Sequence, residues 1–285
     1  MEAMVQETRN PFYDVGRYPL VAEIDGENVE AGYDMLFNKD NNQAVGLITP
    51  NYNLVTNQEV ADVFDQALSE RGVFSVTDFL SGNGSSWVRR IVFDASDLTF
   101  DVTGSGDMVK AMVDIRNSYN GQSSVSINLS MWRLICKNGL MGWGRDSSVR
   151  LKHITSDLVR KIQELFSLNV GRFNAQTAVW KEWSEIPYGQ DNFNDFIDAQ
   201  IIPTEEAEDV TPTVLLPVLS PRQGTYIKES YEPTMNRYNE EETQWGAFNV
   251  LTAIASHDIK ARKGSHVFTA AYDRMQRVVN NFYRQ

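Results

Sequence analysis

Residues 108–140 have the sequence MVKAMVDIRNSYNGQSSVSINLSMWRLICKNGL, which predicts a long antiparallel hairpin. Apolar side chains alternate with polar or charged ones over Met108–Asn117 and again over Val125–Met131, the period of two that is typical of a β-strand. Between the two runs lies Asn120-Gly121. This dipeptide favours a two-residue type I′ turn, because both central positions of that turn need a positive φ.

The alternation changes phase near the end of the second strand. Up to Met131 the apolar residues hold the odd-numbered positions, whereas Trp132, Leu134 and Cys136 hold even-numbered ones beyond it. An extra residue in one strand produces such a shift, so the pattern predicts a β-bulge close to Trp132.

The sequence on either side of this hairpin divides into a β-rich half and a helical part. Thr56-Asn57-Gln58-Glu59 has the residue types of a capping box and begins an amphipathic helix. Apolar residues recur every three or four positions from Thr155 onwards, which indicates helices. Further strands are predicted over 31–37, 43–48, 73–80 and 87–93, and C-terminal helices over 191–201, 227–238, 241–257 and 265–283.

These patterns predict the α+β class, with long antiparallel hairpins in the N-terminal half and a helical C-terminal third. We expect one domain over 31–285, mainly strand over 31–154 and mainly helix over 155–285. An acidic, proline-containing loop is expected over 204–221. In residues 1–30, Pro11, Gly16, Pro19 and Gly26 predict an extended lead-in without regular structure.

Composition places the chain among intracellular globular proteins. Hydrophobic residues make up 42% of the 285, which is enough for a core, and no apolar run is long enough to cross a bilayer. The N-terminal residues lack the basic and apolar regions of a signal peptide, and the single cysteine, Cys136, cannot form an internal disulfide. The sequence therefore predicts a location in the host cell cytoplasm and no membrane partner.

The net charge of −12 conceals two basic stretches. Residues 131–182 carry nine basic and four acidic side chains, and residues 259–285 carry six basic and one acidic, so each stretch is +5. Residues 1–130 and 183–258 are each −11. Nucleic-acid binding needs Lys and Arg opposite the phosphates, so only the two basic stretches are candidates for it.

The basic stretches supply the candidate site residues. Cations interleaved with flat aromatic side chains are what single-stranded DNA requires, since charge follows the phosphates while the rings stack on bases. The alternative is that Trp132 belongs to the core and the arginines pair with the abundant carboxylates. The candidates are Trp132, Arg133, Lys137, Trp143, Arg145, Arg150, Lys152, Arg160, Lys161, Lys260, Arg262, Lys263, Arg274 and Arg277.

No sequence motif indicates catalysis or a cofactor. The glycine-rich segments, such as Gly82-Asn83-Gly84, match neither a P-loop nor a dinucleotide fingerprint, so no nucleotide cofactor is predicted. His153 and His257 lack the close ligand spacing of a metal site. A metal-dependent nuclease would need several carboxylates to converge on one of them.

Two segments carry distinctive motifs. The first joins Arg-Asn-Ser-Tyr-Asn-Gly at 116–121 to Cys-Lys-Asn-Gly-Leu at 136–140, and the second is Thr-x-Trp-x-x-x-Asn-x-x-Thr at 243–252. In order and spacing they resemble a family of phage- and plasmid-related proteins of unknown function. The resemblance implies a role in the DNA metabolism of a mobile element or in host interaction, and it supplies no catalytic residues. A hairpin sheet followed by helices also looks broadly like phage single-strand annealing proteins.

Three functional hypotheses follow. The first is a non-catalytic protein that binds or anneals single-stranded DNA in replication or recombination and forms a homo-oligomer through exposed strand edges. The second is a host-takeover or counter-defence factor whose acidic face contacts a host protein. The third is a metal-dependent nuclease, for which no paired-acid motif is present.

Overall fold

The computed structural model describes residues 10–68, 73–121, 123–134, 138–140, 148–151, 173, 175–202, 218–259 and 266–283. Its antiparallel sheets lie in the N-terminal half and its helices lie mainly in the C-terminal part, so the predicted α+β class is confirmed. The strands are β1 (Val15–Ile24), β2 (Glu27–Asn38), β3 (Gln43–Ile48), β4 (Val73–Leu80), β5 (Ser86–Phe93), β6 (Thr99–Asp101), β7 (Met108–Ser118), β8 (Val125–Arg133), β9 (Asn138–Leu140) and β10 (Ser148–Leu151). The helices are α1 (Asn57–Leu68), α2 (175–185), α3 (Gln190–Ala199), α4 (Pro221–Glu229), α5 (Tyr231–Tyr238), α6 (Gln244–Ala253) and α7 (Ala270–Phe282).

The first three strands form a separate sheet in the order β1-β2-β3. The prediction that Gly16, Pro19 and Gly26 prevent regular structure before residue 31 is wrong, because β1 and the start of β2 lie there. Asp25 and Gly26 have φ values of 53° and 84°, which is the type I′ geometry of a two-residue hairpin turn. Pro19 is accommodated at an irregularity in the register between Pro19 and Val21, on an edge strand.

The second sheet has seven strands and forms the centre of the molecule. Its main path is β10-β8-β7-β5-β4, with β6 on β7 and β9 on β8. The odd-numbered face of β7 and β8 is apolar, and α1 and α6 supply buried residues such as Phe64 and Trp245 to the same core cluster. The capping box of α1 is present, since Glu59 accepts the backbone N–H of Thr56 at 2.7 Å and the Thr56 hydroxyl accepts that of Glu59 at 3.2 Å.

The register of the central hairpin differs from the predicted one in two ways. No bulge occurs in β8, which pairs with β7 without a shift from Ser126 to Arg133. The apparent phase change arises because Arg133, a charged residue, occupies a buried position of the odd-numbered face. The turn at Asn120-Gly121 is also not type I′: Gly121 has a φ of 72°, whereas Asn120 is not among the residues with positive φ.

The C-terminal helices pack largely as their sequence pattern predicts. Residues 244–253 of α6 are buried from Trp245 onwards, and a π-helical turn, Ile254–Asp258, continues the helix. In α7 the buried stripe includes Met275, Val278 and Phe282, at the three- and four-residue spacing that predicted helices beyond Thr155. Most of the loop predicted over 204–221, and the helix predicted to begin at Thr155, lie outside the described residues. Among the helices that are described, none has both the length and the hydropathy needed to cross a bilayer.

Candidate nucleic-acid interface

Arg133 lies in a buried cluster on the apolar face of the central sheet. Its Nε and Nη2 atoms each donate to Asp107 at 2.7 Å, and its Nη1 donates to Glu240. The indole Nε1 of Trp245 donates to Asp107 at 2.8 Å, and the Arg133 guanidinium lies 5.6 Å from the Trp245 ring centroid. Only 5% of the Arg133 side chain is exposed. It is therefore enclosed among carboxylates, which is the alternative to DNA contact for this residue.

The second carboxylate of this cluster, Glu240, has a raised pKa. Burial raises its pKa, and the nearby Arg133 guanidinium only partly opposes that rise. The Asp107 carboxylate raises the pKa further by like-charge repulsion, while a hydrogen bond from Asn249 lowers it. The cluster thus joins the hairpin that carries the first motif, through Arg133 of β8, to the segment of the second motif, through Trp245 and Asn249.

Trp132 lies on the opposite face from Arg133, as neighbouring residues of a strand must. It is half-buried, and the guanidinium of Arg90 lies 5.6 Å from its ring centroid. Arg90 in turn forms two hydrogen bonds of 2.8 Å with the buried carboxylate of Asp114. Burial acts to lower the pKa of Arg90, but Asp114 and the hydroxyl of Tyr272 outweigh it and raise that pKa. The centre of this even-numbered face is buried, and the guanidinium of Arg90 lies over one side of the half-buried Trp132 ring.

The same face ends in a row of polar residues at the other end of β7. Arg116 is paired with Ser126 of β8, and Ser126 is paired with Arg150 of β10. The register therefore places Arg150, a predicted site residue, in one cross-strand row with Arg116. Six residues separate this row from Trp132 along β8, a distance of roughly 20 Å.

Arg116 is one of the residues that line a cleft of about 390 Å³. The cleft is formed by the β4–β5 connection, the β7–β8 connection and the start of α7, and its lining is rich in hydroxyl and amide groups. The Nε atom of Arg116 is buried and has no hydrogen-bond partner among the described residues. The lining residues are Ser81, Asn83, Ser85, Ser86, Trp87, Arg116, Asn117, Asn120, Ser123, Val267, Phe268 and Asp273.

Local hydrogen bonds hold the loops around the cleft in place. The amide of Asn120 donates to the Ser85 hydroxyl at 2.9 Å, and the backbone N–H of Tyr119 donates to the Ser85 carbonyl at 2.7 Å. The Ser118 hydroxyl donates to the Ser123 carbonyl at 2.7 Å and closes the β7–β8 connection. These bonds fix the positions of the donor groups without involving Arg116.

Helix α7 contributes one residue to the cleft and carries two further predicted site residues nearby in sequence. Asp273 lines the cleft, Arg274 follows it in sequence, and Arg277 is exposed one turn further along the same side of the helix as Asp273. The Nε atom of Arg274 is buried and, like that of Arg116, has no partner in the described part of the chain. Phe268 is a half-buried aromatic residue of the cleft lining.

Most other predicted site residues fall outside the described residues. These are Lys137, Trp143, Arg145, Lys152, Arg160, Lys161, Lys260, Arg262 and Lys263. His153 is also outside, whereas His257 lies 6.3 Å from Tyr238 between ring centroids and Asp258 pairs with Arg237 at 3.7 Å. No group of three or more histidine, cysteine or acidic residues in the described ranges is placed to hold a metal ion.

Arg116 was absent from the site predicted from sequence because it lies outside both basic stretches. A signal for it was present, since Arg116, Asn117 and Asn120 belong to the first distinctive motif and all three line the cleft. The remaining lining residues come from segments about 35 residues earlier and 150 residues later, and no local pattern connects them.

Residues 44–279 match the family model described as a domain of unknown function (DUF932). The match spans most of the 285 residues, so the chain belongs to this family. Neither the curated proteins nor the solved structures include a significant match to it.

Proposed function

We propose that this member of the DUF932 family binds single-stranded DNA and that the Arg116 cleft holds one of its phosphates. The proposal rests on one observation above all, the guanidinium whose buried Nε has no described partner in a cleft lined by hydroxyl and amide donors. The biological setting that we propose is the replication or recombination of a mobile genetic element.

A phosphate suits the chemistry of this cleft. Arginine presents a planar set of donors that matches two phosphate oxygens, and serine and asparagine side chains donate to the remaining ones. The buried Nε atom without a described partner is unfavourable by roughly 1–3 kcal/mol, so a shift of the guanidinium towards an anion in the cleft would recover that free energy. Among the described residues of the lining, Asp273 is the one carboxylate. It lies beside Arg274 and one helical turn before Arg277, whose charges offset it.

The surroundings of the cleft suit an unpaired strand better than a duplex. Phe268 in the cleft wall offers a ring on which an unstacked base can lie, and stacking of this kind tolerates any base. In a duplex the bases are held inside the helix and cannot enter a cleft of this size. The two +5 stretches, which include Arg150, Arg274 and Arg277, supply further cations for a strand that continues beyond Arg116.

Binding of labelled oligonucleotides, followed by fluorescence anisotropy at two salt concentrations, tests the proposal. We expect the wild type to prefer single-stranded over double-stranded DNA and to lose affinity as salt rises. Arg116→Gln should weaken binding by about tenfold, the effect of losing one charged hydrogen-bonding group. Arg237→Gln is the matched control, because Arg237 is also a partly exposed arginine but pairs with Asp258. If Arg116→Gln and the wild type bound with equal affinity, the cleft would not be the site that holds a phosphate.

The basic stretch needs a separate test. Charge reversal at Arg150, Lys152, Arg160 and Lys161 together should abolish measurable binding at moderate salt, because each lost phosphate contact reduces affinity and its salt dependence. Retained affinity in this variant, with an unchanged unfolding midpoint, would contradict DNA binding through residues 131–182.

A further inference from the structure

The Arg116 cleft contains a carboxylate that phosphate binding does not explain. Asp273, an exposed residue in the first turn of α7, lines the cleft together with Arg116. Neither side chain forms an ion pair with a described residue, so their two charges are not joined in a direct pair. A carboxylate repels a phosphate and accepts hydrogen bonds. Its place in this lining therefore suits a ligand that carries donors as well as a phosphate.

The first turn of a helix is itself a favourable place for a carboxylate, because of the helix dipole. Asp191 shows this effect elsewhere in the fold, since it is an exposed residue in the first turn of α3. Asp191 does not line the cleft. A comparison of the two aspartates therefore separates an effect on the helix from an effect on a ligand in the cleft.

Asn83 contributes donors with a defined identity to the same lining. Its amide oxygen accepts from the Ser81 hydroxyl at 3.0 Å and from the backbone N–H of Ser85 at 3.1 Å. Because a backbone N–H can only donate, the atom that faces it is the amide oxygen and not the nitrogen. The NH2 group of Asn83 forms no hydrogen bond with a described residue. The cleft thus combines an acceptor, Asp273, with a donor, Asn83.

The hydrogen-bonding edge of guanine matches these two groups. In a single strand the Watson–Crick edge of a base is free for a protein to contact. Guanine presents two adjacent donors there, N1–H and the N2 amino group, beside the acceptor O6. A carboxylate accepts from both donors at once, and an amide NH2 group donates to O6. Adenine, cytosine and thymine each lack two adjacent donors on this edge.

The size and the aromatic wall of the cleft suit one nucleotide. Its volume of about 390 Å³ lies near the lower end of the roughly 300–1,000 Å³ that small-molecule sites span. Stacking on Phe268 tolerates any base, so a preference among bases must come from hydrogen bonds to the base edge. With the phosphate assigned to Arg116, Asp273 and Asn83 remain for that edge.

We infer that Asp273 and Asn83 make the Arg116 cleft selective for guanine in single-stranded DNA. Asp273 accepts from N1–H and from the N2 amino group, and Asn83 donates to O6. The inference rests on the proposed DNA binding and adds a base preference to it, which contacts with phosphates alone do not give.

Fluorescence anisotropy with short thymidine oligonucleotides that differ in one central base tests the inference. We expect a central guanine to be bound about tenfold more tightly than adenine, cytosine or thymine, the discrimination of one bidentate base contact. Hypoxanthine, which lacks the N2 amino group, should lose most of this gain. The analogue 7-deazaguanine keeps the whole Watson–Crick edge and should retain it.

Variants of the two aspartates assign the preference to a residue. Asp273→Asn should remove the guanine preference, and it should bind the all-thymidine oligonucleotide at least as tightly as the wild type does, because a charge that repels phosphate is lost. Asp191→Asn is the matched control, since it makes the same change in the first turn of α3 and should keep the preference. Asn83→Asp retains the oxygen that accepts from Ser85, loses the NH2 group and should also reduce the preference.

The outcomes distinguish this inference from the proposed DNA binding. If the wild type bound all central bases equally while Arg116→Gln weakened each of them, the guanine preference would be overturned and the DNA binding would stand. A preference that persisted in Asp273→Asn, or that was lost equally in Asp191→Asn, would overturn the role of Asp273. If no oligonucleotide bound at low salt, both proposals would fall.

Discussion

Two arginines of the central hairpin occupy contrasting environments, although β7 and β8 pair along their whole length. Arg133 lies on the apolar face, with both ends of its guanidinium bound to buried carboxylates. Arg116 lies on the other face at the opposite end of the strands, beside a cleft, with a buried Nε that no described residue satisfies. The first holds distant segments together, and the second lines a polar cleft.

The contrast shows that sequence neighbourhood is a poor guide to what an arginine does. Arg133 lies in a basic stretch beside a tryptophan, and that pattern resembles a nucleic-acid contact. Its partners, Asp107 and Glu240, are 26 and 107 positions away. Arg116 lies in an acidic part of the chain, yet it is the residue with an open polar cleft in front of it.

Arg133→Met should have the largest effect on stability. The substitution leaves Asp107 and Glu240 buried without their cation, and breaking a buried ion pair from one side destabilises by roughly 3–5 kcal/mol. Urea unfolding followed by circular dichroism measures the change. Arg277→Met, at an exposed arginine of α7, should change the free energy of unfolding by less than about 0.5 kcal/mol. A similarly small change for Arg133→Met would contradict the structural role of the cluster.

Gly46→Ala tests how the small sheet supports the cleft. A Cβ atom at Gly46 would lie 2.0 Å from the carbonyl oxygen of Tyr119, next to Asn120 of the cleft. The backbone must move, and overpacking of this kind destabilises by about 1–3 kcal/mol. Gly189→Ala is the control, since its nearest contact is 3.8 Å from a glutamate oxygen. Equal melting temperatures for the two variants would show that β3 and Tyr119 are not in close contact.

Glu240→Gln probes the Arg133 cluster through pH, with the smallest expected effect. The pKa of Glu240 is raised in the folded protein, so the folded state holds this proton more tightly than the unfolded state does. Its contribution to stability is therefore complete below the unfolded pKa of about 4 and is lost as pH rises through the folded pKa. Glutamine has no proton to lose.

We accordingly expect Glu240→Gln to gain stability relative to the wild type as pH rises from about 4 towards neutrality. Urea midpoints of both proteins at several pH values give the difference. A constant difference across this range would contradict the raised pKa.

The sequence correctly predicted those helices and strands whose residue patterns lie within a single element. The α1 capping box, the alternation of β7 and the apolar stripe of α7 each depend on residues within one element, and the structure has all three. The Asp25-Gly26 turn carried the same kind of signal, but Gly16 and Pro19 nearby indicated irregular structure instead. Asn120-Gly121 carried the strongest turn signal, yet Ser118 and Ser123 close a longer connection there.

The candidate site could not be predicted in the same way, because long-range contacts create it. The cleft combines residues from three segments, and only the family-like motif at 116–121 indicated any of them. The burial of Arg133 depends on carboxylates whose proximity appears only in the folded chain. Arg274 and Arg277 were predicted from the second basic stretch, which is a local signal, and they lie on α7, the helix that contributes Asp273 to the cleft.

The salt dependence of single-stranded DNA binding by Arg116→Gln tests the central contrast most directly. If Arg116 contacts a phosphate, the slope of log affinity against log salt should become shallower by about one relative to wild type. The urea midpoint should stay unchanged. An unchanged slope and affinity in a folded Arg116→Gln variant would contradict the assignment of this arginine to DNA.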